Sequence, residues 1–97
     1  MRSITNKAIQ AFKSARNFRN GNTEVQSHND ATHLFLHGNA IACHIDGEGL
    51  SINLCGWNTP TTRERLNGLP GVRLHTKQGQ AFLNGNPIDS NKWIFVG

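Results

Sequence analysis

The stretch of the chain that is richest in chemically useful side chains is GWNTPTTRERLNGLPG, residues 56–71. Six of its residues are candidates for a partner- or anion-binding site: Trp57, Thr59, Thr61, Thr62, Arg63 and Arg65. Free N–H groups at a helix start, together with hydroxyls and arginines, are typical of a site that holds phosphate. The glycine pattern and the Lys-Ser/Thr pair of a P-loop are missing. The alternative interpretation is a capped connector between two parts of a sheet.

The helix that positions these residues is predicted from the residues at its two ends. Thr59 followed by Pro60 is an N-cap with proline at the first helical position. Gly68 ends the helix, in the way that glycine commonly ends helices. We expect Leu66 to pack inward, and we expect the two arginines to be largely exposed and available to a partner.

Three histidines form a secondary candidate surface: His33, His37 and His44. Residues 32–37 and 40–45 alternate between apolar and polar side chains on either side of Gly38-Asn39, which predicts a tight antiparallel hairpin. In this register His33 lies opposite His44, and His37 shares their face. Three imidazoles on one face can bind a transition metal or supply a general base. Because no acidic residue lies among them to orient a ring, we predict no metal site.

The same register separates the two cysteines of the chain. Cys43 points into the apolar face of the hairpin and Cys55 falls on the opposite face, so disulfide geometry cannot be met. We therefore expect two reduced thiols. The sequence contains no CxxC motif, no cysteine at a predicted helix start and no suggestive Ser/His/Asp order. It predicts no catalytic residue, no cofactor and no enzymatic activity.

The elements that carry these candidates follow in the order helix, four strands, helix, three strands. The apolar stripe of Ile4, Ala8 and Phe12 predicts an N-terminal helix that ends at Asn20-Gly21. Short alternating runs separated by turn residues predict a four-stranded antiparallel meander. A short helix, a β-hairpin and a C-terminal strand complete a single small α+β domain over residues 1–97.

The last third of the chain predicts the hairpin and the final strand. The runs VRLHTK and QAFLNG are joined by a turn at Gln78-Gly79, and a break precedes KWIFVG. In the final strand Trp93 and Phe95 share one face, and Ile94 and Val96 share the other. We therefore expect both faces of this strand to be buried.

The composition limits the kind of partner. The 97 residues carry a net charge of +4, but 16% of them are charged, so the surface is mildly basic and polar. Lys7, Lys13, Arg16 and Arg19 follow one another in and after the first helix, where they favour either contact with nucleic acid or a solvated helix face. No apolar run approaches the ~20 residues that a membrane span needs. We expect a soluble, cytoplasmic protein that contacts no membrane.

Three segments resemble those of a family of small phage-encoded proteins of unknown function: LHGNAIA, CGWNTPTTRERLNGLPGV and KQGQAFLNG. In that family the pattern is an LxGNxIA strand, a GWxTxTT(K/R)xRLN helix and a hairpin that ends in LNG. The resemblance covers most of the chain, with Ala81-Phe82 where relatives commonly have a Trp-Tyr pair. It implies a phage or prophage accessory protein that acts in the cytoplasm of the bacterial host cell. It implies no activity and no catalytic residue.

Two functions follow from these observations. In the first, the chain is a non-enzymatic phage accessory protein that binds a host protein or complex, as an anti-defence or host-takeover inhibitor, or that binds another phage protein. In the second, it is a small basic nucleic-acid-binding protein that contacts phosphates through the first helix and through Arg63 and Arg65. Binding to nucleic acid falls steeply with salt, whereas an apolar protein contact persists.

Overall fold

Two helices and nine strands make up residues 2–97, the part of the chain that the computed structural model describes. In chain order they are α1 (Ser3–Lys13), β1 (Phe18–Asn20), β2 (Thr23–His28), β3 (Ala31–Leu36), β4 (Asn39–Ile45), β5 (Gly49–Ile52), α2 (Pro60–Leu66), β6 (Leu74–Lys77), β7 (Gln80–Leu83), β8 (Asn86–Pro87) and β9 (Ile94–Phe95). The strands pair in two antiparallel sheets. The predicted α+β fold is confirmed.

The larger sheet contains the predicted meander. Its six strands have the order β1-β2-β3-β4-β5-β9, so β2 to β5 are sequential neighbours, as expected. The C-terminal strand β9 joins this sheet at the far edge, where Ile94 pairs with Ile52 and Phe95 pairs with Ser51. The smaller sheet has the order β6-β7-β8.

One face of the larger sheet, which we call the inner face, carries the core. α1 packs against β1, β2 and β3, and α2 packs against β4, β6 and α1. Apolar side chains of both helices and both sheets form one buried cluster, which includes Ala8, Phe12, Val25, Leu34, Leu36, Ile41, Ile52, Leu66, Leu74 and Leu83. We call the opposite face of the larger sheet the outer face. Its side chains alternate along β2 and β3 with the buried ones, and they are half-buried or exposed.

The first helix is shorter than the sequence predicted. It ends at Lys13, well before Asn20-Gly21, and the chain then forms the edge strand β1. The N–H of Arg16 donates to the carbonyl of Ala11 at 2.9 Å, and Ala15 takes a left-handed conformation with φ of +52°. This is a Schellman ending in which alanine occupies the position that usually belongs to glycine. The absence of that glycine from the sequence is why the end was misplaced.

The central hairpin has a different turn and a different register from those predicted. The turn residues are His37 and Gly38, which both have positive φ, as a type I′ turn requires. Leu36 pairs with Asn39, and a β-bulge then shifts the register between β3 and β4. The prediction that His33 lies opposite His44 is wrong. His33 pairs with Cys43, and His44 pairs with Thr32.

The bulge has a physical reason in the core. Ile41 and Ala42 are consecutive in β4, and both are buried. Because side chains alternate along a regular strand, two consecutive inward residues require one extra residue in the ladder. Beyond the bulge, the side chains of β4 point to the faces opposite to those that regular alternation predicted. Cys43 therefore pairs within the outer face, and its predicted place in the apolar face is wrong.

The C-terminal strand is not buried on both faces, contrary to the prediction. Ile94 and Val96 are partly buried and pack against the core cluster. Trp93 is 48% exposed and Phe95 is 66% exposed. The reason is that β9 is an edge strand whose second face has no covering layer in the described structure.

Candidate functional site

A groove of about 570 Å³ lies between the start of α2 and the turn that joins β3 to β4. We call it the α2 groove, and its lining residues are Leu36, His37, Asn39, Ile41, Leu54, Cys55, Trp57, Thr59, Thr61 and Thr62. Leu36, Ile41 and Leu54 are buried core residues, so they give the groove an apolar base. The structure thus brings four of the six candidates from residues 56–71 together with His37.

The start of α2 agrees with the prediction from Thr59 and Pro60. The hydroxyl oxygen of Thr59 accepts the backbone N–H of Thr62 at 3.2 Å, and the hydroxyls of these two threonines lie 3.0 Å apart. Two backbone donors that an anion could use at the helix start are therefore missing: Pro60 has no N–H, and the N–H of Thr62 is bonded to the Thr59 cap. Leu66 is fully buried, as predicted. These contacts favour the capped connector over a phosphate site at the helix start.

Arg65 is buried, which corrects the prediction that it is available to a partner. Its side chain is 2% exposed. The Nε atom donates to Thr23 Oγ1 at 3.1 Å, and Nη1 donates to Thr5 Oγ1 at 2.7 Å and to the Glu64 carboxylate. A buried guanidinium group requires such acceptors because burial of an unpaired charge is costly. Arg65 therefore joins α1, β2 and α2 and cannot contact a ligand at the surface.

Arg63 is half-buried, and its expected exposure is only partly observed. Nη1 donates to the backbone carbonyl of Asn58 at 3.0 Å and to the side-chain Oδ1 of the same residue at 2.6 Å. These bonds hold the loop before α2 in place. Neither arginine therefore adds a free guanidinium to the α2 groove. The interpretation of this stretch as an anion-binding site is weakened, because it relied on these two cations.

Glu64 completes the polar cluster around Arg65. Its carboxylate also accepts bonds from the Thr5 hydroxyl and from the backbone N–H of Arg2. Burial raises the pKa of the Glu64 carboxyl, but these hydrogen bonds and the charge of Arg65 outweigh burial and leave the pKa below its usual value. The cluster is thus ionised at neutral pH and holds the two helices together.

Exposed aromatic side chains lie on the loop before α2, where Trp57 lines the α2 groove, and on the C-terminal segment. The large hydrophobic residues that residues 2–97 leave exposed are Trp57, Trp93 and Phe95, with Trp57 at 62% exposure. The loop that carries Trp57 touches the segment before β9, because the N–H of Gly56 donates to the carbonyl of Ser90 at 2.7 Å. We call this group of three side chains the aromatic corner. Trp93 and Phe95 were missed because the strand pattern predicted their burial.

The three histidines do not form one surface. His37 lies in the lining of the α2 groove, with its Nε2 3.5 Å from the amide nitrogen of Asn22. His33 is on the outer face beside Phe35, with 6.0 Å between ring centroids. His44 is 3.7 Å from the Asp46 carboxylate and pairs with the buried residues Thr32 and Leu50, so it is on the inner face, opposite His33. Among residues 2–97 no group of three or more His, Cys, Asp or Glu side chains is arranged to hold a metal ion.

Both cysteines are free thiols. The sulfur of Cys55 donates to the carbonyl of Ala40 at 3.2 Å beside the α2 groove, and burial raises its pKa. Burial, together with the negative charge of Glu48, also raises the pKa of Cys43. Because the thiolate is the reactive form, both side chains are weak nucleophiles at neutral pH.

The comparisons with known proteins identify a family. The family model described as Kyanoviridae Gp96 protein matches residues 1–96. The chain belongs to this phage protein family, which confirms the phage origin that the sequence implied. Searches of curated proteins and of solved structures gave no match. Neither helix within the described residues has the length and apolar character needed to cross a membrane.

Proposed function

We propose that this member of the Kyanoviridae Gp96 protein family is a non-enzymatic accessory protein that binds a host protein or complex in the bacterial cytoplasm. The aromatic corner carries the proposal. Trp57, Trp93 and Phe95 all lie on two segments that the Gly56–Ser90 hydrogen bond joins. Tryptophan is enriched among the few residues that dominate binding energy at protein interfaces. Large exposed apolar side chains on two joined segments of a small protein support a docking surface there.

The α2 groove supplies the second half of the proposed interface. Its base is aliphatic, and its remaining lining consists of hydroxyls, an amide, a thiol, the imidazole of His37 and the indole of Trp57. No acidic residue, lysine or arginine is in that lining. Such a groove suits an apolar side chain of the partner, with the threonine hydroxyls available for hydrogen bonds at its edge. Trp57 belongs to both surfaces, so it links them.

The chemistry of the side chains supports binding over catalysis. The thiols have raised pKa values, and the histidines lie on different parts of the sheet. Arg63 and Arg65 are engaged in bonds within the chain. Inhibition of a defence or metabolic complex of the host requires only a tight interface, and a chain of 97 residues with one core is large enough to present one.

The test is affinity capture of tagged protein from host cells, with and without nuclease, followed by binding measurements with the purified partner. The Trp57→Ala variant is expected to weaken binding at least about 30-fold, as a hot-spot residue does. Lys77→Ala changes an exposed residue of the smaller sheet and is the matched control. Thermal unfolding confirms that both variants stay folded.

Three results would contradict this proposal. Capture that disappears after nuclease treatment would indicate a nucleic-acid bridge. A Trp57→Ala variant that binds the purified partner as tightly as the unchanged chain would remove the aromatic corner from the interface. A loss of binding in Lys77→Ala as large as the loss in Trp57→Ala would move the contact to the smaller sheet.

A further inference from the structure

The positive charge of this protein is concentrated at its N-terminal end. Residues 2–20 contain five of the ten basic residues and none of the six acidic ones: Arg2, Lys7, Lys13, Arg16 and Arg19. The rest of the chain has five basic and six acidic residues, a net charge of −1. The net positive charge of +4 therefore comes entirely from residues 2–20, which contain the N-cap Arg2, α1, the turn after it and β1.

Four of these five cations are exposed and lie outside the ion pairs that the structure describes for residues 2–97. Those pairs join Arg2 to Glu64, Arg65 to Glu64, and His44 to Asp46. Lys7, Lys13, Arg16 and Arg19 are exposed. We call these four residues the basic strip.

The basic strip extends from α1 through the end of the helix to β1, where Arg19 pairs with Glu24 on the outer face of the larger sheet. The apolar side of α1 is buried in the core, so Lys7 and Lys13 stand on its solvent side. Asn6 and Gln10 are exposed on the same helix, and Ser14 is exposed at its C-cap. The Schellman ending brings Arg16 directly after the helix, and Arg19 follows in β1. Cations interspersed with amides and a hydroxyl are the groups that contact phosphate and sugar in nucleic acids.

We propose that the basic strip binds the phosphate backbone of duplex nucleic acid. The contact is independent of base sequence, because phosphate contacts carry no sequence information. An acidic neighbour, Glu24, lies opposite Arg19 in the β1–β2 register, and its carboxylate accepts a bond from Gln26 at 3.0 Å. Lys7, Lys13 and Arg16 are therefore the main contacts, and Arg19 lies at the margin.

Two other polyanions fit the strip less well. A helix that lies on an anionic membrane inserts its apolar side, but Ala8, Ile9, Ala11 and Phe12 of α1 are committed to the core. A single strand is held by stacking of its bases on aromatic rings. The exposed aromatic rings of this protein are in the aromatic corner near β9, and β9 and β1 are opposite edges of the six-stranded sheet.

This surface is separate from the interface of the proposed function. The aromatic corner and the basic strip share no residue. Either surface can therefore fail its test without affecting the other.

The experiment measures the binding of a fluorescein-labelled DNA duplex of roughly 20 base pairs by fluorescence anisotropy, at salt concentrations between about 50 and 200 mM. The test variant carries Lys7→Gln, Lys13→Gln and Arg16→Gln. The matched control carries Arg73→Gln, Lys77→Gln and Lys92→Gln, which removes the same charge from exposed residues elsewhere. Circular dichroism verifies the fold of both.

The unchanged chain is expected to bind with a slope of log K against log salt of about −3 to −4, as four phosphate contacts predict. The test variant should bind at least about 10-fold more weakly at low salt, with a slope near −1. The affinity of the control variant for the duplex should fall by less than about threefold. Chemical-shift changes in the unchanged chain should map to α1 and β1, which supports the proposal without any variant.

Three outcomes would overturn the proposal. The first is equal loss of binding in the test and control variants, which would show that net charge alone attracts the duplex. The second is no binding of the duplex at low salt, or binding without the salt dependence. The third is binding to phosphatidylserine vesicles by a chain that does not bind the duplex, which would assign the strip to a membrane surface.

Discussion

At the scale of single residues, Arg65 shows why two similar side chains in one short helix have different roles. Arg63 and Arg65 are two positions apart, which separates them by about 200° around the helix axis. Thr62, Arg65 and Leu66 form an i, i+3, i+4 set, and all three are buried. That spacing is present in the sequence and was the available signal for an inward Arg65, but the prediction placed Arg65 at the surface. What the sequence did not show is that Thr5 and Thr23 would supply the acceptors.

The buried position of Arg65 predicts a large loss of stability when it is truncated. Arg65→Ala leaves Glu64, Thr5 and Thr23 without their common donor, so we expect a loss of about 3–5 kcal/mol in the free energy of unfolding. Arg63→Ala is the control: Arg63 is half-buried, and we expect a loss of about 1 kcal/mol or less. Urea denaturation of both variants measures the difference. Similar losses in the two variants would contradict the role assigned to Arg65.

The Glu64 carboxylate predicts a specific dependence of stability on pH. Its pKa is lower in the folded chain than the usual value of 4.5, so the folded state favours the ionised form. The stabilisation is therefore present above the unfolded pKa and is lost as pH falls through the folded pKa. Glu64→Gln should be less stable than the unchanged chain at pH 7, and the two should converge at acidic pH. Denaturation between about pH 7 and 3 measures this, and Glu48→Gln, an exposed change, should show no such convergence.

At the scale of elements, the sequence predicted the identity of most strands and missed the details that no local pattern contains. The alternation of apolar residues and the turn residues between the runs predicted β2 to β5, and the Thr59-Pro60 pair predicted the start of α2. The register of β3 and β4 was missed because an alternating pattern assumes a regular ladder. The consecutive apolar residues Ile41 and Ala42 are the sequence signal of the bulge. Exposure of β9 was missed because a strand pattern does not reveal whether an edge is covered.

The end of α1 predicts a stabilising substitution. Ala15 has φ of +52°, a conformation in which an L side chain is strained and glycine is not. Ala15→Gly should stabilise the chain by about 0.5–1 kcal/mol, because relief of this strain exceeds the greater entropy of glycine in the unfolded state. Gln10→Gly, on the exposed side of the same helix, should destabilise by about the same amount. Thermal unfolding of both variants measures whether each substitution raises or lowers stability. A loss of stability in Ala15→Gly would contradict the Schellman ending.

At the scale of the whole molecule, the two proposed surfaces involve opposite edge strands of the six-stranded sheet. Its β1 edge lies beside the basic strip, and its β9 edge lies beside the aromatic corner. The core beneath the inner face fixes both edges, since α1 and the segments around β9 pack on the same cluster. The two proposed contacts therefore use different residues.

The shared core predicts that both sheets unfold in one cooperative transition. Leu66 of α2 and Leu83 of the smaller sheet belong to the same buried cluster as Leu34 of the larger sheet. Leu66→Ala and Leu83→Ala should each cost about 2–5 kcal/mol and lower a single melting temperature by more than about 8 °C. Differential scanning calorimetry is the measurement, with a ratio of calorimetric to van't Hoff enthalpy near one expected for a two-state domain. If Leu83→Ala instead produced a separate early transition while the larger sheet melted at its original temperature, the smaller sheet would be an independent unit, and the single domain expected over residues 1–97 would be wrong.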